Sequence, residues 1–229
     1  MTANTDATPG REVVAISSID PEIVKRSLRI DYLGARSENA SKLMDGVAGL
    51  LAKFHRPPMM IRELCQDAAN YIQRQFRLRW VMIGLRGPDG IYRYELMAGM
   101  KADAWELQKA RTYKKEDFAL KVEGFFNAGE ISKLTRVYLE EENPLDEEDL
   151  KKINRPFLLH SRRKSKDDTL EADFIDTLIL DSSGDLLGWI EYSGTVTNKF
   201  PDAMTVRWVE LIASVLAAAI STQGPHPHL

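Results

Sequence analysis

Asp176-Thr177-Leu178-Ile179-Leu180-Asp181-Ser182-Ser183-Gly184-Asp185-Leu186-Leu187-Gly188-Trp189-Ile190-Glu191-Tyr192 carries the strongest structural signal in the chain. Two apolar, strand-forming runs flank the turn chemistry of Asp181 to Asp185, which predicts a β-hairpin of Phe174 to Leu180 with Leu186 to Tyr192. Strand alternation places Asp176 on one face and Thr177 on the other. Downstream, Phe200-Pro201-Asp202 opens a helix whose Trp208, Leu211, Ile212, Val215, Leu216, Ala219 and Ile220 form a broad apolar stripe.

Upstream lies a second hairpin signal. Trp80 to Leu85 is almost continuously apolar, Gly87-Pro88-Asp89-Gly90 is a turn, and Ile91 to Met97 alternates Tyr92, Tyr94 and Leu96 with Arg93 and Glu95. A strand apolar on both sides requires cover on both faces of its sheet. Before it, Ile61, Leu64, Cys65, Ala68, Ile72 and Phe76 fall on one helical face after Pro57 and Pro58. Earlier still, Ala40, Leu43, Val47, Leu50 and Phe54 repeat at heptad-like spacing. That stripe fits packing on the same domain and contact with a second copy equally well. Asp20 and Pro21, after Ser18, open a short helix carrying Ile23, Val24 and Leu28. Residues 1–17 read as a flexible lead, 18–54 as a helical extension, 55–222 as the domain, and 223–229 as a disordered tail.

The middle is less patterned. Ile131 to Leu139 reads as a strand and Asp146 to Ile153 as a short helix. Arg162, Arg163, Lys164 and Lys166 form a basic cluster next to Asp167 and Asp168, which reads as a solvated loop rather than a nucleic-acid contact.

Composition narrows the function. The 229 residues are 44% hydrophobic and 28% charged, the balance of a globular domain plus an extension. A formal net charge of −3 gives no global cationic field for nucleic acid. The stretch Trp208 to Ile220 is interrupted by Glu210 and is shorter than the roughly 20 residues of a bilayer span, and Met1 to Gly10 lacks the pattern of a secretory signal. The expected location is the cytoplasm, with no membrane partner. Cys65 is the one cysteine, so intramolecular disulfides and cysteine-rich metal sites are excluded, and its place on an apolar helix face predicts an inert thiol.

The order of elements, and above all the Asp176 to Tyr192 hairpin followed by Phe200 and the helix ending Ala217-Ala218-Ala219-Ile220, resembles the GAF domain, a sensor fold related to PAS domains. The resemblance covers roughly residues 55 to 222. It implies an α/β (α+β) fold with a central antiparallel sheet of about five or six strands. The helices after Pro58 and at the C-terminus would pack on one face, and the irregular middle would cover the other and enclose a pocket. It also implies dimerisation through a helical bundle, with Leu43, Val47, Leu50, Phe54, Trp208, Ile212 and Val215 as the interface. Specialised members fit less well. The sulfoxide reductases of the family use several cysteines, and its bilin-binding members need a cysteine beside a histidine, neither of which is found here. Asn198-Lys199-Phe200-Pro201-Asp202 resembles the cyclic-nucleotide motif, but with compressed spacing and with Ala203 where an acid is wanted.

No phosphate-binding, zinc-protease or nucleophile-elbow motif occurs, and His55, His160, His226 and His228 are scattered, so no catalytic residue, metal site or cofactor is identified. The expected function is non-catalytic binding of an unknown small molecule, signalled through the terminal helices to a partner protein. Candidate ligand-binding residues are Tyr94, Trp105, Phe118, Phe126, Tyr138, Asp176, Glu191 and Tyr192. A buried Asp176 or Glu191 needs a partner: a ligand cation, an arginine such as Arg93, or backbone N–H groups. Two alternatives stand beside this reading, a ligand-free interaction module and a regulator reading DNA through Lys25, Arg26 and Arg29.

Overall fold

A computed structural model describes residues 19–34, 40–55, 60–119, 127–143, 145, 150–151, 153–156, 159 and 161–222. Three helices lead, α1 (Pro21–Gly34), α2 (Ala40–Phe54) and α3 (Ile61–Gln75). The hairpin β1 (Val81–Arg86) and β2 (Tyr92–Ala98) follows, then α4 (Ala102–Lys109) and the short β3 (Thr112–Tyr113). Next come β4 (Ala128–Glu130), β5 (Thr135–Tyr138), the hairpin β6 (Phe174–Leu180) and β7 (Leu186–Tyr192), and a closing helix α5 (Ala203–Thr222).

Among the described residues, the strands form one antiparallel sheet in the order β3-β2-β1-β7-β6-β5-β4. Both long hairpins turn where a glycine adopts a left-handed backbone, Gly90 at φ 78° and Gly184 at φ 85°. In the second turn, Asp181 accepts hydrogen bonds from the Ser183 and Asp185 backbone N–H groups, which fixes the register of β6 on β7. The sheet has seven strands rather than the expected five or six because the irregular middle adds the short edges β3 and β4. The predicted strand Ile131 to Leu139 is interrupted: Ser132 Oγ accepts from the N–H groups of Leu134 and Thr135 and turns the chain between β4 and β5. Most of the predicted helix Asp146 to Ile153, the lead 1–17 and the tail 223–229 lie outside the described residues.

The helices α3 and α5 pack on one face of the sheet, joined there by α1 and α2. Val24, Val47 and Leu50 of the leading helices share a core with Ile61, Leu64, Ile72, Ile190, Val209, Ile212 and Leu216. This corrects the expected dimer seam: Val47, Leu50, Trp208, Ile212 and Val215 are buried within one chain, and Phe54 is half-buried against the same core. Heptad spacing requires a buried stripe but does not name what buries it. The Leu43 side chain lies outside the described residues. The 20-residue α5 is, by length and composition, apolar enough to cross a membrane, contrary to the sequence reading, yet Val206, Val209, Ile212, Leu216 and Ile220 are buried in this core.

The basic cluster also departs from expectation. Arg163 is fully buried, its guanidinium hydrogen-bonded to both oxygens of Glu141 and both of Asp173, and lies 5.4 Å from the Phe200 ring centroid. Burial pushes the Asp173 carboxyl up to about 6, against the pull of Arg163. Arg162 and Lys164 are exposed. On α1, Lys25 is held by Glu22 and Glu142 rather than presented as a free cation.

Candidate functional site

Alternation along the central strands sorts residues between two faces. On β6, Thr177 faces the helices and Asp176 the opposite side; on β7, Ile190 and Tyr192 face the helices while Trp189 and Glu191 face away. The register shifts where β1 passes from Ile83 to Gly84 against Leu96 and Tyr94. This bulge re-aims β2, so that Leu96 and Ala98 join the helical core while Tyr92 and Tyr94 join the cluster on the other face.

That other face is covered by α4, Arg111, Tyr113 of β3, and a turn of 3₁₀ helix at Lys115–Phe118. Between sheet and cover is a cavity of about 80 Å³, lined among others by Trp80, Tyr94, Met100, Gln108, Arg111, Tyr113, Phe118, Tyr138, Glu171, Phe174, Asp176, Trp189 and Glu191. This is room for roughly half a dozen water-sized groups. The rings stand at steep angles to one another: Tyr94 to Tyr113 at 89°, Tyr113 to Trp189 at 77°, and Phe118 to Trp189 at 58°. Gly84 makes this packing possible, because a Cβ there would come within 2.2 Å of the Trp189 ring, which lies across β1. Tyr138 and Phe174 stack at 4.4 Å on another wall.

Two of the lining carboxyls face each other in this setting. Asp176 and Glu191 are opposite each other across β6 and β7, and both are buried. Glu191 Oε2 accepts the Tyr94 hydroxyl at 2.5 Å, and Tyr113 and Tyr94 hydroxyls are 3.4 Å apart. Burial pushes the Glu191 carboxyl up to about 7, partly countered by the Tyr94 hydrogen bond. Asp176 is raised well above the usual carboxylate range by burial and by Glu191, with Arg136 opposing. Among the described residues, Asp176 Oδ1 accepts no hydrogen bond, and neither does Oε1 of Glu171, whose other oxygen takes two from Arg155.

Of the sequence candidates, Tyr94, Phe118, Tyr138, Asp176 and Glu191 are brought together around the cavity. Tyr192 is not: it points into the helical core, its hydroxyl 3.3 Å from Thr177 Oγ1, because it is one residue out of phase with Glu191. Trp105 packs half-buried within the cover without lining the cavity, and Phe126 lies outside the described residues. Arg93 is no partner for the acids, since it forms the turn ion pair with Asp89. Sequence reasoning missed Trp189, although it shares strand phase with Glu191. It also missed Arg111, Tyr113 and Glu171, whose positions come from tertiary packing of the cover. Cys65 is buried in the helical core and its thiol is pushed up to about 12 by burial, as the inert reading requires.

On the helical side, hydroxyls link the sheet to α5. Thr177 Oγ1 lies 3.1 Å from Thr135 Oγ1, which donates to Glu210 Oε1 at 2.8 Å. Asp176, facing the cavity, is the chain neighbour of Thr177.

No protein-family model matches the chain, and no curated protein matches it. Solved structures do. The GAF domain/HD domain protein from Geobacter sulfurreducens superposes with a TM-score of 0.50 at 10% identity, covering 76% of this chain and 96% of that one. The A. aeolicus nlh2 GAF domain in an inactive state gives 0.50 at 13% identity, covering 80% and 97%. The fold is GAF-like.

Proposed function

We propose that this GAF-like chain binds a small molecule in the cavity between sheet and cover, and passes its occupancy through the helical side to a partner, without chemistry on the ligand. The cavity itself carries the reading. Aromatic side chains packed on one another wall it, and buried carboxyls stand among its lining, the usual composition of a ligand site. A signal route is supported by the Thr177–Thr135–Glu210 hydroxyl chain, which starts one residue from Asp176.

A second reading, an interaction module whose helices are the functional surface, is favoured by Ile23, Ile30, Leu51 and Leu211, all large, apolar and exposed on the helices. These side chains are the candidate contacts for a second copy. A thermal-shift screen with a metabolite panel separates the readings, since a ligand that binds only the folded state raises Tm. We expect a shift that disappears in Ala172→Phe, which puts a ring into the cavity. A panel without any shift, together with a change in solution mass for Leu51→Glu and Leu211→Glu, would favour the interaction module.

A further inference from the structure

We propose that the cavity selects a small organic cation of the primary-amine or amidinium class, with its N–H groups on Asp176 and Glu191 and its apolar part against Tyr113, Phe118 and Trp189. This rests on the reading that the cavity takes a small molecule.

The unmet hydrogen-bonding capacity has a definite sign. Asp176 Oδ1 and Glu171 Oε1 are buried carboxyl oxygens that accept nothing among the described residues, and both belong to residues lining the cavity. The buried donors in the same condition, Arg79 Nε, Arg136 Nη1 and Trp208 Nε1, belong to residues that do not line it. An occupant is therefore asked for N–H groups, and an anion would have two buried acids to face. The rings add to this preference, since aromatic faces attract cations, most strongly where water is excluded. One guanidinium already uses that chemistry: Arg111 lies 5.6 Å from the Tyr113 ring centroid. A metal ion fits poorly, because among the described residues no three His, Cys, Asp or Glu side chains gather as ligands.

A cation would also take over the role of a proton. Two acids opposed in a buried site cannot both ionise cheaply, so the empty site holds a proton that an incoming ammonium displaces. The groups around Glu191 are Tyr94 on β2, Arg111 and Tyr113 at β3, Asp176 on β6, Arg136 and Tyr138 on β5, and Glu171 in the loop before β6. Of these the two arginines oppose the cation. Against them stand Asp176 and Glu191, which face each other, and Glu171, whose other oxygen is already paired with Arg155.

The test uses the full chain and three probes of one shape, butylammonium, n-butanol and butyrate, measured by calorimetry and thermal shift. Butylammonium is expected to bind at least about tenfold more tightly than n-butanol, with butyrate weakest. Its affinity should rise from about pH 6 to about pH 8, with proton release on binding. In Asp176→Asn and in Glu191→Gln the preference over n-butanol should shrink while n-butanol binding is retained. Equal or tighter binding of n-butanol or butyrate overturns the cation inference and leaves a binding cavity standing. Absence of binding by all three overturns the cation inference, and if the metabolite panel is also silent the binding reading falls with it.

Discussion

The Tyr94 hydroxyl donates to Glu191 at 2.5 Å although β1 lies between their strands, so one hydrogen bond spans three strands of the sheet on its cavity face. That bond is the counterweight to burial at Glu191. Tyr94→Phe should move the Glu191 titration above about 7 and cost about 1–2 kcal/mol near pH 8, where the carboxylate loses its donor. The loss should be smaller near pH 5, where the carboxyl carries its own proton. Urea melts at the two pH values, with an NMR titration of Glu191, measure both effects.

Glu191 should weaken the unliganded fold as pH rises. Its carboxyl is raised from 4.5 to about 7, so between those values the unfolded chain releases a proton that the folded chain keeps. Its contribution is full below the lower value and is lost as pH climbs through the upper one. Glu191→Gln should accordingly raise stability above pH 7 and leave it nearly unchanged near pH 4, a pattern that denaturation midpoints across pH would reveal. A variant uniformly less stable would contradict it.

Gly84→Ala should disturb the site from outside it. Its Cβ would meet the Trp189 ring at 2.1 Å, and a ring wedged among Tyr94, Tyr113 and Phe118 has little room to yield. A loss of about 1–3 kcal/mol, with altered tryptophan fluorescence and weakened probe binding, is expected.

Arg163→Ala should be among the most damaging changes in the chain, at about 3–5 kcal/mol, because it leaves the buried Asp173 without its cation and removes the pair with the half-buried Glu141. Arg162→Ala and Lys164→Ala, exposed neighbours, should stay within about 0.5 kcal/mol. Chemical denaturation of the three variants provides the comparison.

The two long hairpins and the final helix were legible because each is specified locally: β6 and β7 match their predicted bounds, with Gly184 where the turn requires it. The face of Asp176 relative to Thr177 followed from alternation alone. Tyr192 was misassigned because phase was applied to β6 and not carried to β7, where Glu191 and Tyr192 must diverge. Arg163 was misread because local composition cannot reveal that Glu141 and Asp173, distant in sequence, close around it. The edge strands β3 and β4 are too short to leave a periodic signature. The bulge between β1 and β2 that aims Tyr94 at Glu191 shows only in the pairing register.

The one-residue offset between Glu191 and Tyr192 bears on how this protein can change over evolution. Deleting a single residue within β7 ahead of Glu191 would exchange the two side chains between faces, placing an acid in the helical core and a phenol in the cavity. The Asp181 to Asp185 turn lies outside both strands and can lengthen without that exchange. Lineages of this domain should therefore vary in length at the turn and keep the spacing from Trp189 to Tyr192 free of insertions, even where the residues themselves drift.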